Sequence, residues 1–275
     1  YICFMICVFL VIEFLLTNHK NIYKWAEDTL RFAGTSVLAA AMSSFLLIPA
    51  YIGLNTTASA TRHFPASEWY GSIWDMIKQM FILTSPIKSQ TFDGGVNLYC
   101  GTFAILLIGV YLLNTKIRWY DKVRNVIVLT FLLISFNNTL LNYIWHGFHD
   151  QYGIPNRFSF LFIFVLLTMG YEAVYNTDRS QLPGVVAGIA AAFGFLVAAD
   201  KNVQFEDNVL TITWVLFAVY GAVLIAYSLA KGSGRLVLSI ILMIVCMTET
   251  VFGAAKGYES NGVVNIPDYY GEAKS

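Results

Sequence analysis

Long apolar runs alternate with short polar connectors along the whole chain. The runs cover residues 1–16, 29–53, 98–115, 125–146, 157–175, 183–199, 209–230 and 236–255. Most of them approach the length of about 20 residues that a helix needs to cross the hydrocarbon of a bilayer, and the first is short for a complete span. The pattern predicts an all-α fold, a polytopic transmembrane helix bundle of about eight membrane spans. We find no internal repeat, so we expect a single membrane domain over residues 1–275.

The composition agrees with a membrane protein. The chain is 57% hydrophobic and only 12% charged, and its mean hydropathy of +0.62 lies outside the range of ordinary soluble domains. Lysine plus arginine and aspartate plus glutamate both number 17, so the net charge gives no reason to expect a nucleic-acid partner. The expected partner is the lipid bilayer. The four cysteines lack zinc-site spacing, and we predict that they are buried thiols.

The placement of basic residues predicts the orientation in the membrane. Four alternate connectors contain them, namely Lys20, Lys24 and Arg31; Lys116, Arg118, Lys122 and Arg124; Arg179; and Lys231 with Arg235. Because basic connectors stay in the cytoplasm, residues 54–97, 147–156 and 200–208 are predicted to be extracytoplasmic. Residues 256–275 are then the start of an extracytoplasmic C-terminal region. Since the chain begins at Tyr1 without methionine, we expect an internal fragment of a longer protein.

The loop at 54–97 contains an amphipathic pattern. Apolar side chains recur at helical spacing at Trp69, Ile73, Trp74, Ile77, Met80, Phe81 and Leu83. The pattern predicts a helix that lies in the membrane interface. The alternative is a helix that packs on other parts of the same protein.

Ionisable and amide side chains concentrate around the outer end of the fourth apolar run. If that run stays helical to its outer end, Asn138, Asn142, His146 and His149 lie on one face of the helix. For the two asparagines, hydrogen bonding between helices is an equally good interpretation. The histidines are stronger candidates for chemistry.

The residues that follow point to a phosphate site. Gly153 and Pro155 should end the helix, and Asn156 is placed to cap the next one, with Arg157 in its first turn. A guanidinium beside the free N–H groups of a helix start binds phosphate well, although it can also reach out to lipid headgroups. With His146 nearby, Arg157 is predicted to hold the anionic headgroup of a lipid-linked substrate.

A divalent metal is a weaker alternative. His146, His149 and Asp150 are ligand-type side chains, but their spacing lacks a third ligand at a diagnostic distance, so we assign no metal site and leave the cofactor unknown. No GxGxxG, P-loop, GxSxG or HExxH motif occurs in the sequence. Three acids lie in apolar runs. Glu172 is near the cytoplasmic end of its span, where it can reach water, and Glu13 and Glu249 are individually ambiguous. Three scattered acids do not make a proton relay.

The block Trp145-His146-Gly147-Phe148 and the run Pro155-Asn156-Arg157-Phe158-Ser159-Phe160-Leu161-Phe162 resemble the YfhO-type family of bacterial polytopic membrane proteins. The resemblance covers the chain as an internal segment. It implies a GT-C-like glycosyltransferase fold, and transfer of a sugar from a polyprenyl-phosphate carrier to a surface polymer such as lipoteichoic acid. It also implies a catalytic acid in an early outer loop that is absent from residues 1–275, so we assign no catalytic residue here.

On this resemblance, the expected lipid-phosphate and substrate-binding residues are His146, Arg157, His149, Asp150, Asn142 and Asn156. His146 and Arg157 would serve the departing phosphate, and His149 and Asp150 would shape the acceptor side. Two other classes of function stay open. The protein is alternatively a transporter or flippase for a lipid-linked envelope intermediate, or a non-catalytic scaffold in envelope polymer assembly.

Overall fold

The computed structural model describes residues 2–17, 21–54, 64–87, 95–148 and 156–261. This part of the chain is helical and contains no β-strand. The helices are α1 (Ile2–Leu15), α2 (Ile22–Leu54), α3 (Ile73–Lys78), α4 (Thr102–Leu113), α5 (Trp119–Asn137), α6 (Thr139–Trp145), α7 (Ser159–Tyr175), α8 (Leu182–Asn202), α9 (Val209–Leu229) and α10 (Ser233–Asn261). A short 3₁₀ turn, Arg179–Gln181, leads into α8.

The all-α prediction is confirmed for the described residues, and each predicted span contains a helix. Four helical segments are long and apolar enough to cross a membrane: Ile22–Gly53, Arg179–Asn202, Val209–Leu229 and Ser233–Ser260. Three shorter apolar helices are Ile2–Leu15, Thr102–Leu113 and Ser159–Tyr175. The total of about eight spans stays a prediction.

The chain packs as two compact units. Unit 1 comprises residues 1–69 and 138–152, and unit 2 comprises residues 70–137 and 153–275. The chain passes from one unit to the other after residues 69, 137 and 152. The predicted single membrane domain stays a prediction.

Unit 1 contains α1, α2, α6 and the segment 64–69. Helix α1 packs against α6, and the stacked rings of Phe14 and Phe32, 4.7 Å apart, join α1 to α2. Apolar side chains are exposed along most of α2, as in a helix whose surroundings are hydrocarbon. Cys3 and Cys7 of α1 are exposed as well, so the prediction that they are buried is wrong.

The predicted fourth span is interrupted. Helix α5 ends at Asn137, Asn138 is extended with φ −113° and ψ 126°, and α6 begins at Thr139. The prediction of one continuous helix over 125–146 is therefore wrong. Asn138 is not on a helical face but caps α6, since its side-chain oxygen accepts a hydrogen bond from the Leu141 N–H at 3.1 Å.

Side-chain amides explain this break, because asparagine competes with the helix for backbone hydrogen bonds. In unit 2, the Asn137 amide pairs with both backbone groups of Gly71, donating to its carbonyl at 2.8 Å and accepting from its N–H at 3.0 Å. In unit 1, Asn138 Nδ2 donates to Ser67 Oγ at 2.9 Å. The partners of the two amides are therefore distant in the sequence. Gly71 is 66 residues from Asn137, and Ser67 is 71 residues from Asn138.

The predicted helix over 69–83 is much shorter in the structure. Only Ile73–Lys78 is helical, and Ser72 caps its start by accepting from the Trp74 N–H at 3.2 Å. Helix α3 packs against α5 and α8, and Met76, Met80, Phe81 and Ile82 are buried. Trp69 and Ile73 of the same pattern are exposed, and the position of this segment in the membrane interface stays a prediction.

Helix α4 is the centre of unit 2, because it contacts α7, α8 and α9. Its closest neighbour is α8, where two glycines remove the side chains that would keep the backbones apart. A Cβ atom on Gly109 would lie 2.3 Å from the Gly188 carbonyl oxygen, and one on Gly188 would lie 2.5 Å from Val110 Cα. Gly184, one turn before Gly188, meets the Leu113 carbonyl in the same way at 2.8 Å. The Gly184-x-x-x-Gly188 pair is typical of close helix packing in membranes.

The connector between α8 and α9 is joined to Ser85 by an acidic side chain. Glu206, between α8 and α9, accepts hydrogen bonds from the Ser85 N–H at 3.0 Å and the Ser85 hydroxyl at 2.9 Å. Burial by itself raises the pKa of Glu206, but these two bonds and the positive charges of Lys78 and Lys256 lower it below the ordinary value. The contribution of Glu206 to stability is therefore present above the ordinary carboxyl pKa and lost as the pH falls through the lowered one.

The α4–α8 contact predicts that substitution of two glycines of α8 by alanine has very different effects on stability. We expect Gly188→Ala to lower the free energy of unfolding by about 1–3 kcal/mol, because the new methyl group meets backbone that must move. Gly194→Ala is the matched control, since nothing lies within 4 Å of its Cβ position. We expect no loss of stability there, and a gain of up to about 1 kcal/mol from the higher helix propensity of alanine. Thermal and denaturant unfolding of the purified protein in detergent measures both. Equal stability of the two variants would contradict the close approach.

Candidate functional site

The block Trp145–Phe148 forms the end of helix α6 in unit 1. Gly147 has φ +70°, a conformation that favours glycine, and its N–H donates to the Ile144 carbonyl at 3.0 Å. The Phe148 N–H donates to the Tyr143 carbonyl at 3.0 Å, and the two rings lie 6.2 Å apart. These two bonds and the ring contact define a Schellman motif, which satisfies the last carbonyls of a helix.

His146 is the last residue before that glycine, and its side chain is only 3% exposed. Its Nδ1 lies 2.8 Å from the carbonyl oxygen of Asn142, one turn earlier. A carbonyl only accepts hydrogen bonds, so Nδ1 carries the proton, and Nε2 is the basic nitrogen of the neutral ring. Asn142 is buried too. Two of the predicted site residues thus occupy successive turns of α6, and the backbone sets the tautomer of one of them.

Asn156 and Arg157 belong to unit 2, and the predicted cap is wrong. Helix α7 begins at Ser159 after Phe158, which makes no side-chain cap. Asn156 has φ +52°, and its Nδ2 donates to the carbonyls of Gly95 at 2.5 Å and Phe136 at 3.2 Å. The amide therefore joins residue 95 to the end of α5. Arg157 is exposed and precedes α7 instead of lying in its first turn.

The remaining predicted residues, His149 and Asp150, lie outside the described residues. Since His146 is in unit 1 and Arg157 in unit 2, their joint role stays a prediction. Within the described ranges, no group of three His, Cys, Asp or Glu side chains is arranged to hold a metal. The metal alternative depended on His149 and Asp150 and is not addressed by that finding.

A buried carboxylate that sequence reasoning left ambiguous lies in unit 2. Glu249 of α10 is 4% exposed, and three donors reach it. Oε1 accepts from the Tyr99 hydroxyl at 2.8 Å and from the Thr102 N–H at 2.5 Å, and Oε2 accepts from the Tyr220 hydroxyl at 2.6 Å. An ionised carboxylate is an acceptor only, so it matches all three donors.

The Thr102 N–H belongs to the first turn of α4, where backbone N–H groups lack helical partners. Gly101 precedes it and supplies no side-chain cap. The carboxyl group of Glu249, which is on α10, caps the start of α4 instead. The partial positive charge of the helix start further stabilises the carboxylate. One turn beyond Glu249, a Cβ atom on Gly253 would lie 2.9 Å from the Tyr99 ring, so this glycine leaves room for Tyr99 to reach the carboxylate.

A protein-family model described as bacterial membrane protein YfhO matches residues 1–265. The chain belongs to this family. The sequence resemblance is thereby confirmed, and the family together with the several apolar helices identifies a multi-pass membrane protein. No curated protein and no solved structure matches the chain.

In this YfhO-family chain, Glu249 separates two cavities of unit 2. One has a volume of about 360 Å³ and lies between α9, α10 and the turn at Ile82 and Leu83. The other has a volume of about 400 Å³ and lies between α7, α10 and the start of α4. Among the described residues, Glu249 is the one that lines both.

The Glu249 hydrogen bonds predict different effects for two tyrosines of α9. Tyr220→Phe removes a bond to a buried carboxylate, and we expect it to lower the free energy of unfolding by about 1.5–3 kcal/mol. Tyr227→Phe is the control, because its ring lies 4.4 Å from the Arg235 guanidinium and that contact survives, so we expect a change below about 0.5 kcal/mol. Unfolding of both variants in detergent checks this. Equal losses would mean that the Tyr220 hydroxyl contributes nothing specific.

Proposed function

We propose that the protein is a membrane glycosyltransferase of the GT-C type. It transfers a sugar from a polyprenyl-phosphate carrier to a surface polymer such as lipoteichoic acid, on the extracytoplasmic side of the cell membrane. The proposal includes about eight spans and a GT-C-like arrangement of them. Family membership over residues 1–265 supports an envelope membrane protein, and the observation that carries the specific chemistry is the buried His146 imidazole at the end of α6.

Transfer from a lipid phosphate needs positive charge at the departing phosphate and a base for the acceptor hydroxyl. In this proposal, Arg157 binds the phosphate, because an exposed guanidinium can bind two phosphate oxygens at once. His146 donates to the same group from Nε2 when the ring is protonated. Asn142 and Asn156 contribute to binding of the lipid phosphate and substrate, and His149 and Asp150 shape the acceptor side. The proposal assigns no catalytic acid within residues 1–275.

Arg157 gives the first test. We expect Arg157→Ala to reduce sugar transfer on the order of 100-fold, the usual cost of removing one transition-state donor. Arg157→Lys should retain part of the activity, because lysine keeps the charge but not the two-pronged geometry. The measurement is the glycosyl content of teichoic acids, by NMR, from cells that carry the gene, its deletion or the variant.

Arg179→Ala is the matched control for this experiment, because Arg179 is also exposed and also precedes a helix. We expect it to leave the polymer unchanged. Full activity of Arg157→Ala at normal protein level would remove Arg157 from the site. Unchanged polymer in the deletion strain would remove the glycosyltransferase proposal itself.

A transporter or flippase for a lipid-linked envelope intermediate is the second candidate. The observation that favours it is Glu249, since ionisable groups within membrane bundles commonly mark transport pathways. A scaffold role in polymer assembly is the remaining alternative. Unchanged polymer composition in the deletion strain, together with an altered pool of lipid-linked intermediates, would favour the transporter.

The extracytoplasmic position of the site has its own test. In a variant without the native cysteines, we expect Gln151→Cys to react with a membrane-impermeant thiol reagent in intact cells, because its connector is predicted to be outside. Arg179→Cys should react only after permeabilisation. Mass spectrometry of the labelled protein gives the readout. The reverse labelling pattern would overturn the predicted orientation.

A further inference from the structure

The larger cavity beside Glu249, hereafter the Glu249 cavity, combines one carboxyl group with apolar walls. Its volume of about 400 Å³ lies within the range of small-molecule sites in proteins. Leu107, Leu167 and Val174 form its aliphatic wall, and Phe103 and Tyr171 contribute aromatic rings. The thiols of Cys100 and Cys246 also line it.

The carboxyl group of Glu249 has hydrogen-bond partners but, among the described residues, no charged partner. Its three hydrogen-bond donors are two phenols and a backbone amide, all of them neutral. Throughout the described part of the chain, no lysine, arginine or histidine forms an ion pair with it. Buried charges in proteins are usually paired, and a carboxylate has acceptor capacity for about four hydrogen bonds. A cation in the cavity would complete the site.

The walls restrict the kind of cation. A divalent metal needs several oxygen, nitrogen or sulfur ligands in a fixed geometry, and one carboxylate does not supply them. A sugar would leave most of its hydroxyls without partners against these apolar walls. An ammonium group is attracted both to the carboxylate and to the faces of aromatic rings. The cavity therefore fits an ammonium that carries hydrocarbon.

The route into the cavity also favours an amphiphile. On α7, Leu167 is 50% exposed and Tyr171 is 67% exposed, and on α10 the cavity-lining Thr250 is exposed. These residues lie on an apolar helical surface of a membrane protein, so a ligand reaches the cavity from the hydrocarbon. We propose that the Glu249 cavity binds a lipophilic ammonium, with its nitrogen at the Glu249 carboxylate and its chain along Leu107, Leu167 and Val174. This inference does not depend on the glycosyltransferase proposal.

The native cysteines supply the readout. The purified protein in neutral detergent is treated with a membrane-permeant maleimide, and alkylation of each cysteine is followed by peptide mass spectrometry. We expect dodecylamine, which is charged at neutral pH, to slow alkylation of Cys100 and Cys246 about tenfold at saturation. Dodecanol, with the same chain and no charge, should slow it less than about twofold. Cys3 and Cys7 of α1 are internal controls and should react unchanged in both cases.

Two variants test the role of the charge. Glu249→Gln keeps the size of the side chain and removes its charge, so we expect it to abolish the preference for the amine over the alcohol. Glu259→Gln changes an exposed acid on the same helix and should retain the preference. The comparison of the two ligands on the unmodified protein stands even if Glu249→Gln fails to fold. Equal protection by amine and alcohol, or protection by neither, would overturn the proposal and leave Glu249 as a cap for α4.

Discussion

The backbone contact between α4 and α8 is the constraint on which unit 2 depends. Gly109 and Gly188 let the two helices touch, and α4 then lies within reach of α7, α8 and α9. A helix held so deeply must satisfy the N–H groups at its start without water, because an unpaired backbone group in an apolar interior costs several kcal/mol. Glu249 supplies the acceptor from α10. The glycine contact and the buried acid are thus two consequences of placing α4 at the centre.

Three asparagine side chains likewise form hydrogen bonds with backbone groups near the break between α5 and α6 and before α7. Asn137 bonds both backbone groups of Gly71, Asn138 caps α6, and Asn156 donates to the carbonyls of Gly95 and Phe136. Each amide replaces backbone partners that a continuous helix would have provided. Irregular backbone in a membrane protein is tolerated where protein groups complete its hydrogen bonds. The polar residues of these breaks therefore have structural duties, whatever further chemistry they perform.

The sequence predicted the helices well because hydrophobic length is a local property, and each apolar run contains a helix. It did not predict the break at Asn138 or the short α3, since both depend on partners far away in the chain, such as Ser67 and Gly71. The spacing of Gly184 and Gly188 is visible in the sequence. The packing of Gly188 against Gly109 is not, because it depends on the fold. Glu249 was visible as an acid in an apolar run, and only the fold shows that Tyr99 and Tyr220 reach it.

In the block Trp145–Phe148, three residues have side chains or conformations that the end of helix α6 requires, and one does not. Gly147 is required by its left-handed conformation, Phe148 by its contact with Tyr143, and Trp145 fills buried space. The Schellman motif uses backbone N–H groups at positions 147 and 148, so it places no demand on the side chain of residue 146. An imidazole buried there carries a desolvation cost that a small apolar residue would avoid. His146 is thus the member of the block whose identity the helix end does not explain, which is why the proposed chemistry is assigned to it.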